Sequence, residues 1–353
     1  MEDPIHTLNG LLSAGRPVAL SSLIESSGSI PMSERAKMIV DAGGRAHGTI
    51  GGGCLEAEIH TVARDVLASG RPQATDYTMT EKQAGEHGLN CGGTVRIYTE
   101  RIAPDAGELF GEVAAARAGR SPCVLVTGLG EQGRALLHHD GRRRGDLATV
   151  GEERLSSWAR MALERERSSL QSAGAGEFFV EPFTPPPMLF VFGGGHVGGQ
   201  IGRLAKNAGF HVVIVDDRPY FANHERHPEV DECVADDVEA VFSRLPVDDQ
   251  IYIVAATRGH QHDEIVVENA ISRKARYIGM LGSERKKLIL WQRIEARGGS
   301  RERLEEVYSP VGLDIGADTP EEIAVSVVAE LIQVRRSDRR KRWKTKRTKA
   351  VTA

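Results

Sequence analysis

The stretch "MLFVFGGGHVGGQIGRLAKNAGFHVVIVDD", Met188 to Asp217, leaves a chain few choices of fold. Its apolar opening predicts a strand over Met188–Phe192. Gly193, Gly195 and Gly198 then satisfy G-x-G-x-x-G, and a helix is expected to about Ala208, capped by Gly209. "HVVIVDD" predicts a second strand ending in two acids. Strand before, helix after and acid at the next strand's end together predict a Rossmann-type βαβ unit. In that geometry the helix N-terminus holds a pyrophosphate, and Asp216 or Asp217 takes a ribose hydroxyl. Arg218 beside them suits a 2′-phosphate instead, so both NAD and NADP stay open as the nucleotide.

The alternating pattern continues with "IYIVAATRGHQHDEIVVENAI" and "ARYIGMLGSERKK". Ligands of open parallel sheets bind outside the carboxyl ends of the strands. Those ends carry Thr257, Arg258, His260, His262 and Asp263, and further on Gly279, Gly282, Ser283 and Arg285. His260 and His262, two apart in an expected loop, suit acid–base work or anion binding, with a helix cap as the plain role for Asp263. A metal held by the two histidines alone lacks ligands. Thr319, Pro320 and Glu322 read as a capping box that starts the last helix, and "GLDIGA" ahead of it is a candidate lining of the crevice.

Upstream, "EPFTPPPM" (Glu181–Met188) places four prolines where neither helix nor central strand tolerates them. The expected organisation is therefore an α+β domain over 1–185, a Rossmann-like domain over 186–334, and a basic tail over 335–353. The fold class is α/β, a parallel-sheet domain preceded by a smaller α+β domain. The first block contains a weak internal repeat. One copy runs "PVALSSLIES", "AKMIVDAGGRAHGTI" and "LEAEIHTVARDVLASG"; the other runs "SPCVLVTGLG", "RALLHHDGRRRGDLATV" and "EERLSSWARMALERE". Each reads as strand, hairpin with an Asp/Gly turn, and helix.

Only the first copy carries "TIGGGCLEAE". Gly51, Gly52 and Gly53 allow positive φ and close approach of backbone N–H groups to a bound group. With a helix expected from Leu55, Cys54 falls near its N-cap, where the helix dipole favours a thiolate or another anion. The loop thus presents a nucleophilic or metal-seeking sulfur beside an anion cradle; a tight structural turn is the plainer alternative. Cys91, in "GLNCGGTVRIY", is a second glycine-flanked thiol. Cys123 and Cys233 stand in apolar strand-like runs and are expected to be buried and inert.

Four cysteines without a C-x-x-C pair argue against zinc and against a disulfide framework. At 353 residues the chain is long enough for two cores. No secretory signal and no bilayer-spanning run are seen, so the expected location is cytoplasmic. Arg335 to Lys349 hold ten basic residues against one acid, +9, which leaves −13 of the net −4 on the rest. That tail is expected to be disordered, and an acidic body without a recognition motif argues against nucleic acid as partner. A homodimer is compatible with this organisation.

The motifs "GTIGGGCLEAE", "LNCGG", "EPFTPPP" leading into "VFGGGHVG", "TRGHQHD", "YIGMLGSERK" and "SPVGLDIGADTPEEIA", in this order, resemble the XdhC/CoxI family, maturation factors of molybdenum hydroxylases such as xanthine dehydrogenase and carbon monoxide dehydrogenase. The resemblance implies an accessory role: binding the molybdenum cofactor, protecting its sulfurated form and delivering it to an apo-hydroxylase. It implies Cys54 as the sulfur that meets molybdenum or its sulfido group, with a cysteine desulfurase or a cofactor nucleotidyltransferase as further partners. Two positions depart from similar sequences, which carry arginine where Met32 and Glu284 stand here. Two other readings compete: an NAD(P)-dependent oxidoreductase using His260 or His262, and a persulfide carrier using Cys54.

Overall fold

The computed structural model describes residues 4–337 apart from 29, 31, 34, 79–92, 120, 131, 148 and 246–249. Cys91 and the tail beyond Ser337 therefore lie outside the described residues. The chain forms two compact units, Met1–Pro185 and Pro186–Ala353. The amino-terminal unit, expected to be the smaller, takes the longer share of the chain because it contains the same architecture twice.

In the first unit, α1 (Pro4–Ser13) leads into β1 (Val18–Ser27), β2 (Lys37–Asp41), β3 (Ala46–Thr49), α2 (Gly53–Ser69), β4 (Gln73–Thr78) and β5 (Thr94–Ile102). Then α3 (Gly107–Ala118) leads into β6 (Cys123–Gly128), β7 (Arg134–His138), β8 (Arg143–Asp146), α4 (Glu152–Arg165), β9 (Ser169–Ala173) and β10 (Gly176–Phe183). The two antiparallel sheets have one strand order, β3-β2-β1-β5-β4 and β8-β7-β6-β10-β9. Their registers agree residue for residue. Leu20 faces Ile39 and Glu100 as Leu125 faces Leu136 and Glu181, and Ser22 faces Lys37 as Thr127 faces Arg134. Gly48 and Gly145 match too. Both have φ near +80° (79° and 77°), and a Cβ on either would strike a carbonyl oxygen of the neighbouring strand, that of Lys37 or Arg134, one residue before the opposed Met38 or Ala135.

Alternation along the strands decides the layering, since successive side chains leave opposite faces. One face of each sheet packs on its own helix: Ala19, Met38 and Ile97 on α2, and Val124, Ala135 and Phe178 on α4. The other faces share a core with α1 and α3, in which Val18, Leu20, Ile39 and Ile102 meet their counterparts Cys123, Leu125, Leu136 and Phe183. Ion pairs tie the copies together reciprocally. Lys37 of the first bonds Glu181 of the second at 2.9 Å, and Arg134 of the second bonds Glu100 of the first. Arg96 and Glu177, which hold equivalent positions, pair with each other through two 2.9 Å bonds. Such self-complementary exchange is the signature of a two-fold interface.

The second unit runs β11 (Met188–Phe192), α5 (His196–Asn207), β12 (His211–Asp216), β13 (Glu232–Ala235), α6 (Val238–Arg244), β14 (Ile251–Ala255), α7 (His260–Ile271), β15 (Tyr277–Met280), α8 (Glu284–Ala296), α9 (Arg301–Glu305) and α10 (Pro320–Arg336). Its sheet is wholly parallel in the order β13-β12-β11-β14-β15, the doubly wound topology whose switch point lies between β11 and β14. Phe190, Val213 and Ile253 face α6–α9, while Leu189, Val212 and Tyr252 face α5 and α10. The capping box at Thr319 and Glu322 is present. The last helix runs two residues into the basic segment, and Arg335 lies over the Phe210 ring and bonds the Ala208 carbonyl. No described helix is long and apolar enough to cross a membrane.

Candidate functional site

Two places gather the residues singled out by the sequence, one in each unit. In the first, Gly51, Gly52 and Gly53 take φ of 84°, 72° and 65°, three left-handed residues in succession. A Cβ at Gly51 would press on Met32, so that glycine admits a neighbour. At Gly52 and Gly53 the space is open, and it is the positive φ that calls for glycine. The helix α2 starts at Gly53, earlier than expected, which puts the half-buried Cys54 inside its first turn. Glu56 in the same turn reaches back, accepting from the Gly52 N–H at 3.1 Å and from Thr49 Oγ1 at 2.5 Å. Of the donors an anion would use there, the Gly52 amide is thus already bound to the protein's own carboxylate. The anion cradle is narrower than the glycines alone suggest, whereas the thiol side of the loop is unaffected.

In the second unit, a solvent-open cleft lies at the carboxyl ends of β11, β12 and β14. Gly193, Asp216, Asp217, Arg258 and His262 line it, with Arg218 and the start of α6. The glycines here divide by role. A Cβ on Gly193 would fall 2.2 Å from the Ala256 carbonyl oxygen, one on Gly194 1.9 Å from that of Phe221, and one on Gly198 1.8 Å from that of Gly193. Those three serve backbone crossings. Gly195, the N-cap of α5, meets nothing within 4 Å, and it is the position where the backbone of such a loop approaches a pyrophosphate.

Asp216 is buried and committed. Its carboxylate accepts from the Gly194 N–H at 2.9 Å and from the Arg218 amide and guanidinium at 2.8–3.1 Å. Burial works to raise its pKa, but the Arg218 guanidinium and the Gly194 and Arg218 amides outweigh it and hold the carboxyl below its ordinary 3.8. Arg218 also stacks on Phe221, 3.8 Å from the ring centroid. Asp217, less buried, bonds Arg258 at 3.0 Å. Of the two acids, Asp217 keeps the more exposed carboxylate.

Several expectations change. His260 and His262 lie in the first turn of α7 and not in a loop, because Gly259 caps that helix. Helical residues two apart do not share a face, so the pair cannot act on one ligand as a loop would allow. His262 lines the cleft; the His260 side chain lies outside the described residues. Among the described residues no cluster of three or more His, Cys, Asp or Glu is placed to hold a metal ion. Asp263 caps nothing: fully buried, it accepts from the Thr257 amide and hydroxyl and pairs with Lys286. Gly282 leaves room for the Lys286 stem, and Ser283 is the N-cap of α8, accepting from the Lys286 amide; neither lines the cleft. The "GLDIGA" segment packs on α10 through Gly312, whose amide donates to Glu330. Cys123 is fully buried as expected, but Cys233 on the edge strand β13 is only half-buried, and burial pushes its thiol pKa up.

Two residues escaped the sequence reading. His227 Nε2 lies 3.2 Å from the Gly194 carbonyl oxygen and 3.0 Å from that of Phe221, so it carries the proton and ties the segment after β12 to the glycine loop. Lys286 anchors Asp263 from 23 residues away. Only the extra glycines of "GGGHVGG" hinted at the first, since Gly199 makes room for the His227 ring.

Two family descriptions match the chain: "XdhC and CoxI family" over residues 11–78 and "XdhC Rossmann domain" over 189–331. The chain belongs to the XdhC/CoxI family. The first match covers the start of the unit that holds the glycine–cysteine loop, and the second covers almost the whole parallel-sheet unit. XdhC/CoxI relatives share nearly its full length. A protein of Bacillus subtilis (strain 168), named as a probable xanthine dehydrogenase component, is 27% identical over 344 residues, 94% of this chain and 97% of that protein. "Molybdenum cofactor insertion chaperone PaoD" of Escherichia coli (strain K12) is 22% identical over 330 residues, 92% of this chain and 85% of that one. A crystal structure titled a xanthine dehydrogenase from Bacillus halodurans superposes with a TM-score of 0.78 at 24% identity, covering 96% of this chain and 98% of the other. It shows the same fold.

Proposed function

We propose that this protein is an accessory factor that binds the sulfurated molybdenum cofactor and hands it to a molybdenum hydroxylase apoenzyme. The observation that carries the reading is the loop Gly51–Gly53 ending on Cys54, three glycines of positive φ that leave the backbone beside the thiol bare of side chains. A backbone without side chains there lets a bulky ligand approach, and a cysteine sulfur suits a soft metal or its sulfido group. The relative named a molybdenum cofactor insertion chaperone supports the same role. An apo-hydroxylase is then the receiving partner. In the second unit, the open Gly195 and Asp217 suit a nucleotide, either as part of the cargo or as NAD(P). An oxidoreductase is the competing reading, and the place of His262 on the cleft wall is the observation that favours it.

Cofactor content after anaerobic purification tests the proposal, with wild type set against Cys54→Ser. Molybdenum and pterin together in the wild type, and depleted several-fold in the variant, is the expected result. No molybdenum or pterin in either, with NAD(H) retained by both, overturns the proposal in favour of an oxidoreductase.

A further inference from the structure

The near-symmetry of the first unit separates what the fold requires from what it does not. A small cavity, open to solvent, is lined by Pro4 and Ile5 of α1, by Arg35 and Lys37 at the start of β2, and by Glu181–Thr184 at the end of β10. Lys37 and Glu181 are each 6% exposed. Lys37 Nζ donates to Ser22 Oγ at 3.0 Å and pairs with Glu181 Oε2 at 2.9 Å. Arg35 is fixed on the wall by a 2.9 Å bond from Nη2 to the Glu166 carbonyl oxygen. The Thr184 hydroxyl is buried and has no hydrogen-bond partner. On the wall of a solvent-open cavity, that hydroxyl is placed to bond water or a ligand.

The Lys37–Glu181 pair has an equivalent in Arg134–Glu100, so the ion pair itself is a brace that both copies keep. Arg35 and Thr184 are not repeated in kind. By the strand registers, the position of Arg35 corresponds to Gln132 and that of Thr184 to Ala103. The added cation and hydroxyl occur only on the side that also holds the glycine–cysteine loop. The two features share one end of the sheet. Lys37 pairs with Thr49, Thr49 bonds Glu56, and Glu56 bonds Gly52, while Met32, three residues before Arg35, lies against Gly51.

The geometry points to this cavity as the subsite for the 2-amino-4-oxopyrimidine edge of a pterin, an assignment that rests on the cargo reading above. A phosphate would face the Glu181 carboxylate, and an apolar ligand would leave the Thr184 hydroxyl unsatisfied. A flat heterocycle with adjacent N–H donors and carbonyl or ring-nitrogen acceptors suits both charges. Its N–H groups donate to Glu181, its acceptors take Arg35, Lys37 and Thr184, and its faces meet Pro4, Pro182 and Phe183.

The test is a fluorescence titration of the full-length protein with free pterin, repeated with inorganic phosphate as competitor. The variants carry the residues of the other copy, Arg35→Gln and Thr184→Ala. Thr184→Ala breaks no hydrogen bond in the protein, so it is read even if Arg35→Gln disturbs the fold. Pterin binding by wild type, weakened about tenfold or more in the double variant and not displaced by phosphate, is the expected result. Binding unchanged in both variants, no pterin binding at all, or displacement by phosphate overturns the assignment. Molybdenum content separates the two readings. Variants that keep both molybdenum and full pterin affinity remove this subsite and leave the cargo role. Pterin binding that depends on Arg35 and Thr184, in a protein that never carries molybdenum, keeps the subsite and removes the cargo role.

Discussion

Asp216 shows how one side chain serves both fold and site. It ties the glycine loop to β12 through the Gly194 amide and neutralises Arg218, the cation that a 2′-phosphate would need. Its folded pKa is depressed, so the stability it contributes is complete above its unfolded value near 4. That contribution is lost as the pH falls through the lower folded value. Melting temperatures of wild type and Asp216→Asn, followed from pH 6 downward, are expected to differ by a constant amount above about pH 4.5 and to converge on the acid side. With Arg218 held by Asp216, the cleft is also expected to bind NAD more tightly than NADP. Equilibrium titration with both nucleotides checks this, and a preference for NADP would mean that Arg218 leaves Asp216 on binding.

Among the elements, the glycine-rich turn after β11 gives the sharpest contrast. Gly194→Ala and Gly198→Ala place a Cβ within 2 Å of a backbone oxygen, at 1.9 and 1.8 Å, so each is expected to cost more than about 2 kcal/mol, read by urea unfolding. Gly195→Ala has open space and an ordinary φ of −72°, so stability is expected to change by less than about 1 kcal/mol while nucleotide binding weakens. This turn also marks how far local pattern reaches. The strand, the turn and α5 were legible because each rests on short-range rules, apolar run, glycine spacing and helix stop. So were α2 with its stop at Gly70 and the capping box of α10. The histidines misled because Gly259 gave no sign that α7 begins there. Lys37–Glu181, His227 and Lys286–Asp263 stayed hidden because their partners come from other strands and loops. A lysine in "RAKMIV" looks like any surface lysine until the sheet carries it against a strand 144 residues on.

At the scale of the molecule, the first unit behaves as two half-units braced by exchanged charges. Removing one partner of a buried pair leaves the other uncompensated, so Lys37→Met or Glu181→Leu alone is expected to cost about 3–5 kcal/mol. The double variant Lys37→Met/Glu181→Leu should recover most of that loss, because a desolvated ion pair gains little over apolar contact. A thermodynamic cycle on unfolding free energies checks the coupling. Additive losses would mean that the two side chains act independently. The duplication has a further consequence. In an assembly of two identical chains a substitution falls on both sides of the axis at once, so neither side can change without the other. Two copies in one chain remove that restriction. One loop is free to become glycine and cysteine while its counterpart, Thr149 to Glu152, continues simply to start a helix. Saturation mutagenesis of the two loops should therefore be lopsided, with selection for function felt across residues 49–56 and only selection for folding across 149–152.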